Sequence, residues 1–172
     1  MAGKGTRLRP FTLTCPKPLI NVLDKPIVEH LIDQITSKVK SNIDEIVYIL
    51  GDESYFNDEV VNSLNLISEK YKAKTKIYRQ LEQLGTGHAI MCAEESLSGP
   101  SIIAYADTMI QGNIEIDTNV DGIIWVKKVD NPSAYGVVNL DNENKIIELV
   151  EKPAEFISDL AVVGIYYFKE AA

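Results

Sequence analysis

Gly3, Gly5, Thr6 and Arg7 stand together in Ala2-Gly3-Lys4-Gly5-Thr6-Arg7-Leu8-Arg9-Pro10, and Lys17 follows ten residues after Arg7, between Pro16 and Pro18. Small residues and glycines let a backbone bend tightly and bring its N–H groups against a ligand. Each proline fixes its own φ and pushes the residue before it to an extended conformation, so Lys17 is presented from a stiff segment. Bare amides with an arginine and a lysine suit a polyphosphate. Two known phosphate loops do not fit. The dinucleotide fingerprint needs a glycine where Leu8 stands, and the P-loop pattern has no match. Alone, the glycine pair and Arg7 read equally as a surface turn with solvated cations. The Pro16-Lys17-Pro18 segment moves the balance to a ligand site.

Three further groups carry chemistry. In Gln80-Leu81-Glu82-Gln83-Leu84-Gly85-Thr86-Gly87-His88-Ala89, the Gln80 amide offers a donor and an acceptor, which suits the carbonyl and N–H edge of a pyrimidine. The plain alternative is a glycine-rich helix start with a solvated glutamine. Asp107 closes a predicted strand, where open α/β sheets place their ligands, and a carboxylate there suits Mg²⁺. An aspartate after a strand is more often a cap or turn residue. Last come Tyr135-Gly136 and Glu151-Lys152-Pro153. Gly136 lets a backbone N–H approach a sugar hydroxyl, Glu151 can accept from vicinal hydroxyls, and Lys152 can reach a phosphate. On these residues alone, a hairpin with an exposed Glu–Lys pair is the simpler reading.

The elements that must position these groups alternate. Asp24 is placed to cap a helix with Pro26 in its first turn, and Ile27, Val28, Leu31, Ile32, Ile35 and Val39 keep helical spacing. His30 on that helix reads as structural. Glu45 to Leu50 is a β-rich run consistent with a buried parallel strand. Phe56, Val60, Val61, Leu64 and Ile67 mark a helix, Thr75 to Arg79 a strand, and the stretch after Gly87 another helix. Ser101 to Ala106 is a third strand. From Gly122 strands dominate, with Asp141-Asn142-Glu143-Asn144 as a hairpin turn. The expected fold is α/β: a Rossmann-like, mostly parallel sheet flanked by helices, with a more β-rich half after residue 122.

The 172 residues, 45% hydrophobic and 24% charged, suit one domain spanning residues 1–172. A net charge of −8 argues against nucleic acid as the main partner. Cys15 and Cys92 have no metal-ligand spacing, and no apolar run approaches the ~20 residues that span a membrane. A cytoplasmic setting with no membrane partner is expected.

Gly3-Lys4-Gly5-Thr6-Arg7-Leu8-Arg9-Pro10-Phe11-Thr12, Pro16-Lys17-Pro18-Leu19 and Lys25-Pro26 together resemble the opening of sugar-1-phosphate nucleotidyltransferases, the glucose-1-phosphate thymidylyltransferase and uridylyltransferase family. The resemblance runs through Phe168. It implies that Arg7 and Lys17 are catalytic and that Ala2, Gly3, Gly5 and Thr6 hold the triphosphate. Gln80, Gly85 and Thr86 then read uracil or thymine, and Asp107 binds Mg²⁺. Tyr135, Gly136, Glu151, Lys152 and Val162 line the sugar-phosphate site. Ala106 replaces the family's usual glycine before the metal aspartate. The resemblance also implies a strand ahead of the glycine loop and further elements beyond Ala172, including a second metal carboxylate. Its specificity cues disagree: Gly85-Thr86-Gly87-His88-Ala89 looks like uridylyltransferases for N-acetylglucosamine-1-phosphate, while Val162-Val163-Gly164 is nearer the thymidylyltransferase pattern.

The implied reaction is in-line attack of a hexose-1-phosphate, by default glucose-1-phosphate, on the α-phosphorus of UTP or dTTP. The nucleophile is already an anion, so positioning and charge neutralisation carry the catalysis. A homo-oligomer is compatible with the resemblance. Three alternatives stay open: a non-catalytic regulatory homologue, an inactive fragment of an active enzyme, and a nucleotide-sugar glycosyltransferase. The last is disfavoured because Asp107-Thr108-Met109 is not Asp-x-Asp.

Overall fold

The computed structural model describes residues 1–3, 5–39, 42–109 and 116–171. Lys4, part of the phosphate-loop motif, lies outside them. Three 3-10 turns, Thr6–Leu8, Phe11–Leu13 and Lys17–Leu19, lead into a small hairpin of β1 (Asn21–Val22) and β2 (Lys25–Pro26). Helix α1 (Ile27–Thr36) follows, then β3 (Glu45–Leu50), α2 (Asp58–Lys70), β4 (Lys74–Arg79) and α3 (Thr86–Met91). The rest is strand: β5 (Ser101–Ala104), β6 (Gly122–Lys128), β7 (Gly136–Leu140), β8 (Ile146–Glu151) and β9 (Leu160–Phe168).

One core lies where α1 and α2 meet β3. Val28 and Ile32 recur at helical spacing on α1, and Val60, Leu64 and Ile67 do so on α2. They close on Tyr48, Leu50 and Phe56. Glu29 is buried on the same face of α1, where the Lys70 ammonium donates to both its oxygens at 2.7 and 2.9 Å. That pairing removes the cost of an isolated buried charge. Helix α2 begins where Asn57 Oδ1 accepts from the Val60 N–H at 3.2 Å.

The Asp24 cap is not formed. Asp24 has a φ of +71° in the β1–β2 turn, and α1 starts after Pro26 without a side-chain cap. Pairing of Lys25–Pro26 with Asn21–Val22 takes the residues that a longer helix would have used. Helix α1 also stops at Thr36, short of Val39, and Phe56 precedes α2 rather than lying on it. His30 is structural as expected, with Nε2 2.6 Å from the Val22 carbonyl, tying α1 to β1.

The α/β class holds, with its parallel part confined among the described residues to β3 and β4. The large sheet has the order β5-β9-β7-β8, with β6 also on β9, and every ladder in it is antiparallel. β9 pairs with β6 along most of its length, with β5 through its second half and with β7 at Ala161. Among the described residues β3 bonds only β4, and β5 bonds only β9. A slot of about 720 Å³ opens between the two sheets, lined by Ile46 and Tyr48 of β3, Ile102 and Ala104 of β5, and Leu31 of α1, with Met1 also on its wall. Among the described residues this slot separates β3 from β5. No helix among the described residues is long and apolar enough to cross a membrane.

Candidate active site

The glycine loop is held at both ends. Gly5 has a φ of +59°, and its carbonyl accepts from the buried Thr12 hydroxyl at 2.8 Å. A Cβ at Gly5 would lie 3.1 Å from Thr12 Cγ2 and 3.4 Å from Lys17 Cβ, so a side chain there would press the loop off the Lys17 segment. At the other end Ala2 packs on the close of β3, where a Cβ at Gly51 would come within 2.7 Å of the Ala2 carbonyl oxygen. The Tyr55 hydroxyl donates to the Thr12 carbonyl at 2.6 Å and lies 3.2 Å from the Cys15 carbonyl. Gly3, Thr6 and Arg7 are exposed, and among the described residues no acceptor holds the Arg7 guanidinium.

Lys17 connects this loop to the end of β5. Its ammonium donates to Asp107 Oδ2 at 2.7 Å, across 90 residues of sequence. Pro16 and Pro18 on either side are buried, so the backbone that carries the ammonium is anchored. Both charges remain partly open to solvent, with Lys17 at 32% and Asp107 at 47% exposure. They are thus placed to exchange each other for a ligand. No group of three or more metal-binding side chains occurs among the described residues. Asp107 is nevertheless suited to a cation that draws its other ligands from phosphate oxygens and water, and it already attracts the Lys17 ammonium.

The sugar-phosphate candidates form a second group. Gly136 pairs with Glu151 across the β7–β8 ladder, and a Cβ at Gly136 would lie 2.9 Å from Glu151 Oε2 and 4.0 Å from Val162 Cγ2. The Lys152 N–H donates to the Tyr135 carbonyl at 3.0 Å, and Lys152 takes a φ of +47°. Its ammonium stands 3.8 Å from Glu151 Oε1, with both side chains about two-thirds exposed. Such a pair contributes little to stability and leaves both heads available.

A path joins the two groups. The Tyr105 N–H donates to the Gly164 carbonyl at 2.9 Å, and the Thr108 hydroxyl reaches the Val163 carbonyl at 3.4 Å. The segment bearing Asp107 is thereby bound to β9 one and two residues after Val162. The Tyr105 and Tyr166 hydroxyls lie 3.3 Å apart, and burial first, then that contact, push the Tyr166 phenol well above its ordinary value. Burial also raises the Cys15 thiol above its ordinary value.

Gln80 continues β4, and its N–H donates to the Leu50 carbonyl at 2.8 Å, beside Gly51 and hence beside Ala2. The side chain is buried at 5% exposure. Its Nε2 donates to the Gly85 carbonyl at 2.9 Å and lies 3.1 Å from His88 Nδ1. Gly85 has a φ of +101°, a region costly for any side chain, and this turns its carbonyl back toward Gln80. Thr86 is exposed at the first position of α3.

The family model described as "Nucleotidyl transferase" matches residues 1–172. The chain belongs to the nucleotidyl transferase family. Among curated members it is 36% identical over 167 residues to a "Bifunctional protein GlmU" of Methanococcus maripaludis, covering 96% of this chain and 38% of the relative. It is 33% identical to a mannose-1-phosphate guanyltransferase of Aspergillus oryzae, covering 96% of this chain and 47% of the relative. The chain thus spans less than half the length of these curated members. A solved member, assigned as a glucose-1-phosphate thymidylyltransferase of Bacillus anthracis, aligns at a TM-score of 0.81 with 26% identity, covering 98% of this chain and 68% of that one.

Sequence reasoning missed several residues that hold this candidate site together. Tyr55 and Thr12 fasten the loop through main-chain carbonyls; Thr12 closes the glycine-loop motif without a role assigned to it, and no pattern in the sequence marks Tyr55. Tyr105 and Gly164 join β5 to β9. His88 stood inside a quoted motif without a role.

Proposed function

We propose that this protein transfers a nucleotidyl group from UTP or dTTP to a sugar-1-phosphate, with release of pyrophosphate. The Lys17–Asp107 pair at 2.7 Å is the observation that carries this reading, because it brings the stiff Lys17 segment and the end of β5 to one point. Family membership supports the reaction class. The named activities of relatives include both guanylyl and thymidylyl transfer, so the preference for a pyrimidine rests on Gln80.

The roles follow from position. The amides of Ala2, Gly3 and Gly5 and the open Arg7 guanidinium would take the β- and γ-phosphates and neutralise charge growing on pyrophosphate. Lys17 would leave Asp107 for the α-phosphate when nucleotide arrives. Asp107 would then hold Mg²⁺ together with phosphate oxygens, and that ion supplies charge neutralisation on the triphosphate. Gly136, Glu151 and Tyr135 would seat the sugar, with Lys152 on its phosphate and Val162 beneath the ring. The default sugar is glucose.

Pyrophosphate release, measured with Mg²⁺, a panel of sugar-1-phosphates and each of UTP, dTTP, CTP, GTP and ATP, tests the proposal. Release with UTP or dTTP alone is expected. Release with GTP would keep the reaction and sink the reading of Gln80. Silence throughout would favour a regulatory homologue.

A further inference from the structure

We infer that His88 is a positioning residue for nucleobase selection: together with the Gly85 carbonyl it occupies the donor end of the Gln80 amide and leaves the acceptor end to face the base. This rests on the nucleotide reading above. The Gly85 carbonyl oxygen can only accept a hydrogen bond, so the amide nitrogen of Gln80 must be the end beside it, at 2.9 Å. That nitrogen carries two hydrogens. The other acceptor in reach is His88 Nδ1, at 3.1 Å. For this bond to form, Nδ1 must present its lone pair, which places the imidazole proton on Nε2.

With both hydrogens committed, the amide has no donor left. Among the described residues no donor reaches Gln80 Oε1, and every buried side-chain polar atom is either partnered or open to solvent. What remains for a ligand is an acceptor. An acceptor facing N3 of a pyrimidine meets an N–H on uracil or thymine and a lone pair on cytosine. Reversing the amide would bring Oε1 against the Gly85 oxygen, a repulsion that no proton shift relieves, and would require the His88 imidazole to move its proton from Nε2 to Nδ1. Without His88, one of those two restraints is gone.

The local fold places His88 for this task. Gly85 directly precedes α3, its carbonyl accepts from the Ala89 N–H at 3.2 Å, and His88 sits three residues beyond Gly85, on the same side of the first turn. The burial of Gln80 makes an unpaired amide hydrogen there costly. The sequence reading gave Gln80 both a donor and an acceptor for the base; the two bonds to Gly85 and His88 use the donor.

The test is equilibrium binding of UTP, dTTP and CTP to the protein and to its His88→Phe and His88→Asn variants, with pyrophosphate release measured beside it. Phenylalanine fills the space without an acceptor. Asparagine returns an acceptor oxygen near the position of Nδ1. The His88→Phe change should weaken UTP and dTTP binding about 3- to 10-fold, the worth of one neutral hydrogen bond, and leave CTP binding unchanged or stronger. It should raise KM with little change in kcat. His88→Asn should return within about twofold of the parent, reflecting the same bond. Equal losses for UTP and CTP, no loss, or no recovery in His88→Asn would overturn the inference. So would a parent protein that binds CTP as well as UTP. A parent that selects UTP in binding but releases no pyrophosphate would sink the transfer reaction and leave the role of His88 standing.

Discussion

Replacing Gly164 by alanine tests the link that seats Asp107. Gly164 is buried on β9 with a φ of +80°, and a Cβ there would lie 2.9 Å from Tyr105 Cε2 and Cγ and nearer still to Cδ2. Two costs follow. Holding an L-residue in left-handed backbone costs about 1–2 kcal/mol. Forcing a methyl into a filled space costs about 1–3 kcal/mol more. Tyr105 cannot simply swing away, because its N–H bonds the Gly164 carbonyl and its ring lies 6.0 Å from that of Tyr166. Gly164→Ala should therefore lose about 2–5 kcal/mol in urea unfolding. In a Tyr105→Ala background the ring is gone, and the same change should cost only the backbone part, about 1–2 kcal/mol. A loss below about 0.5 kcal/mol, or an equal loss in both backgrounds, would refute the contact as the cause.

Arg7→Ala should cut kcat roughly 10²- to 10³-fold with an unchanged melting curve, since no described acceptor holds Arg7 in the fold; near-normal turnover would remove its assigned role. Asn57→Ala deletes the cap on Val60 N–H and should cost about 1 kcal/mol by chemical denaturation, with turnover retained. Burial pushes the Tyr48 phenol from 10.0 up to about 12, so its neutral form is favoured by folding. That contribution is whole below pH 10 and is lost as pH rises toward 12; a stability–pH curve should fall there, and less steeply in Tyr48→Phe, where the raised Tyr55, Tyr71 and Tyr166 phenols remain.

Much of the fold was legible because hydrophobic period and turn chemistry agree. The strand Glu45–Leu50 was read with the bounds observed, and Asp141 makes its turn by accepting from the Glu143 and Lys145 N–H groups. Asp24 was misread because its type suits a cap equally well as a left-handed turn, and only the β1–β2 pairing decides between them. In the site, glycines, prolines and charges were visible as types. What fastens them was not. Tyr55 and Thr12 act through main-chain carbonyls, which a sequence does not display, and His88 acts through a lone pair whose direction depends on the turn at Gly85.

The slot between β3 and β5 leaves one edge of each strand unpaired among the described residues. In each strand, successive N–H groups point to alternate edges. Those on the slot side of β3 and β5 have no ladder partner among the described residues, although they lie between the two sheets. Such a row of unpaired groups is a template for an extended segment. Amide exchange tells the two states of the slot apart: slot-side amides of β3 and β5 exchange fast where it is open and slowly where a strand lies in it, while those bonded to β4 and β9 stay slow. A strand in the slot would join the two sheets into one, and Lys17 on Asp107 already ties the glycine-loop side to the end of β5.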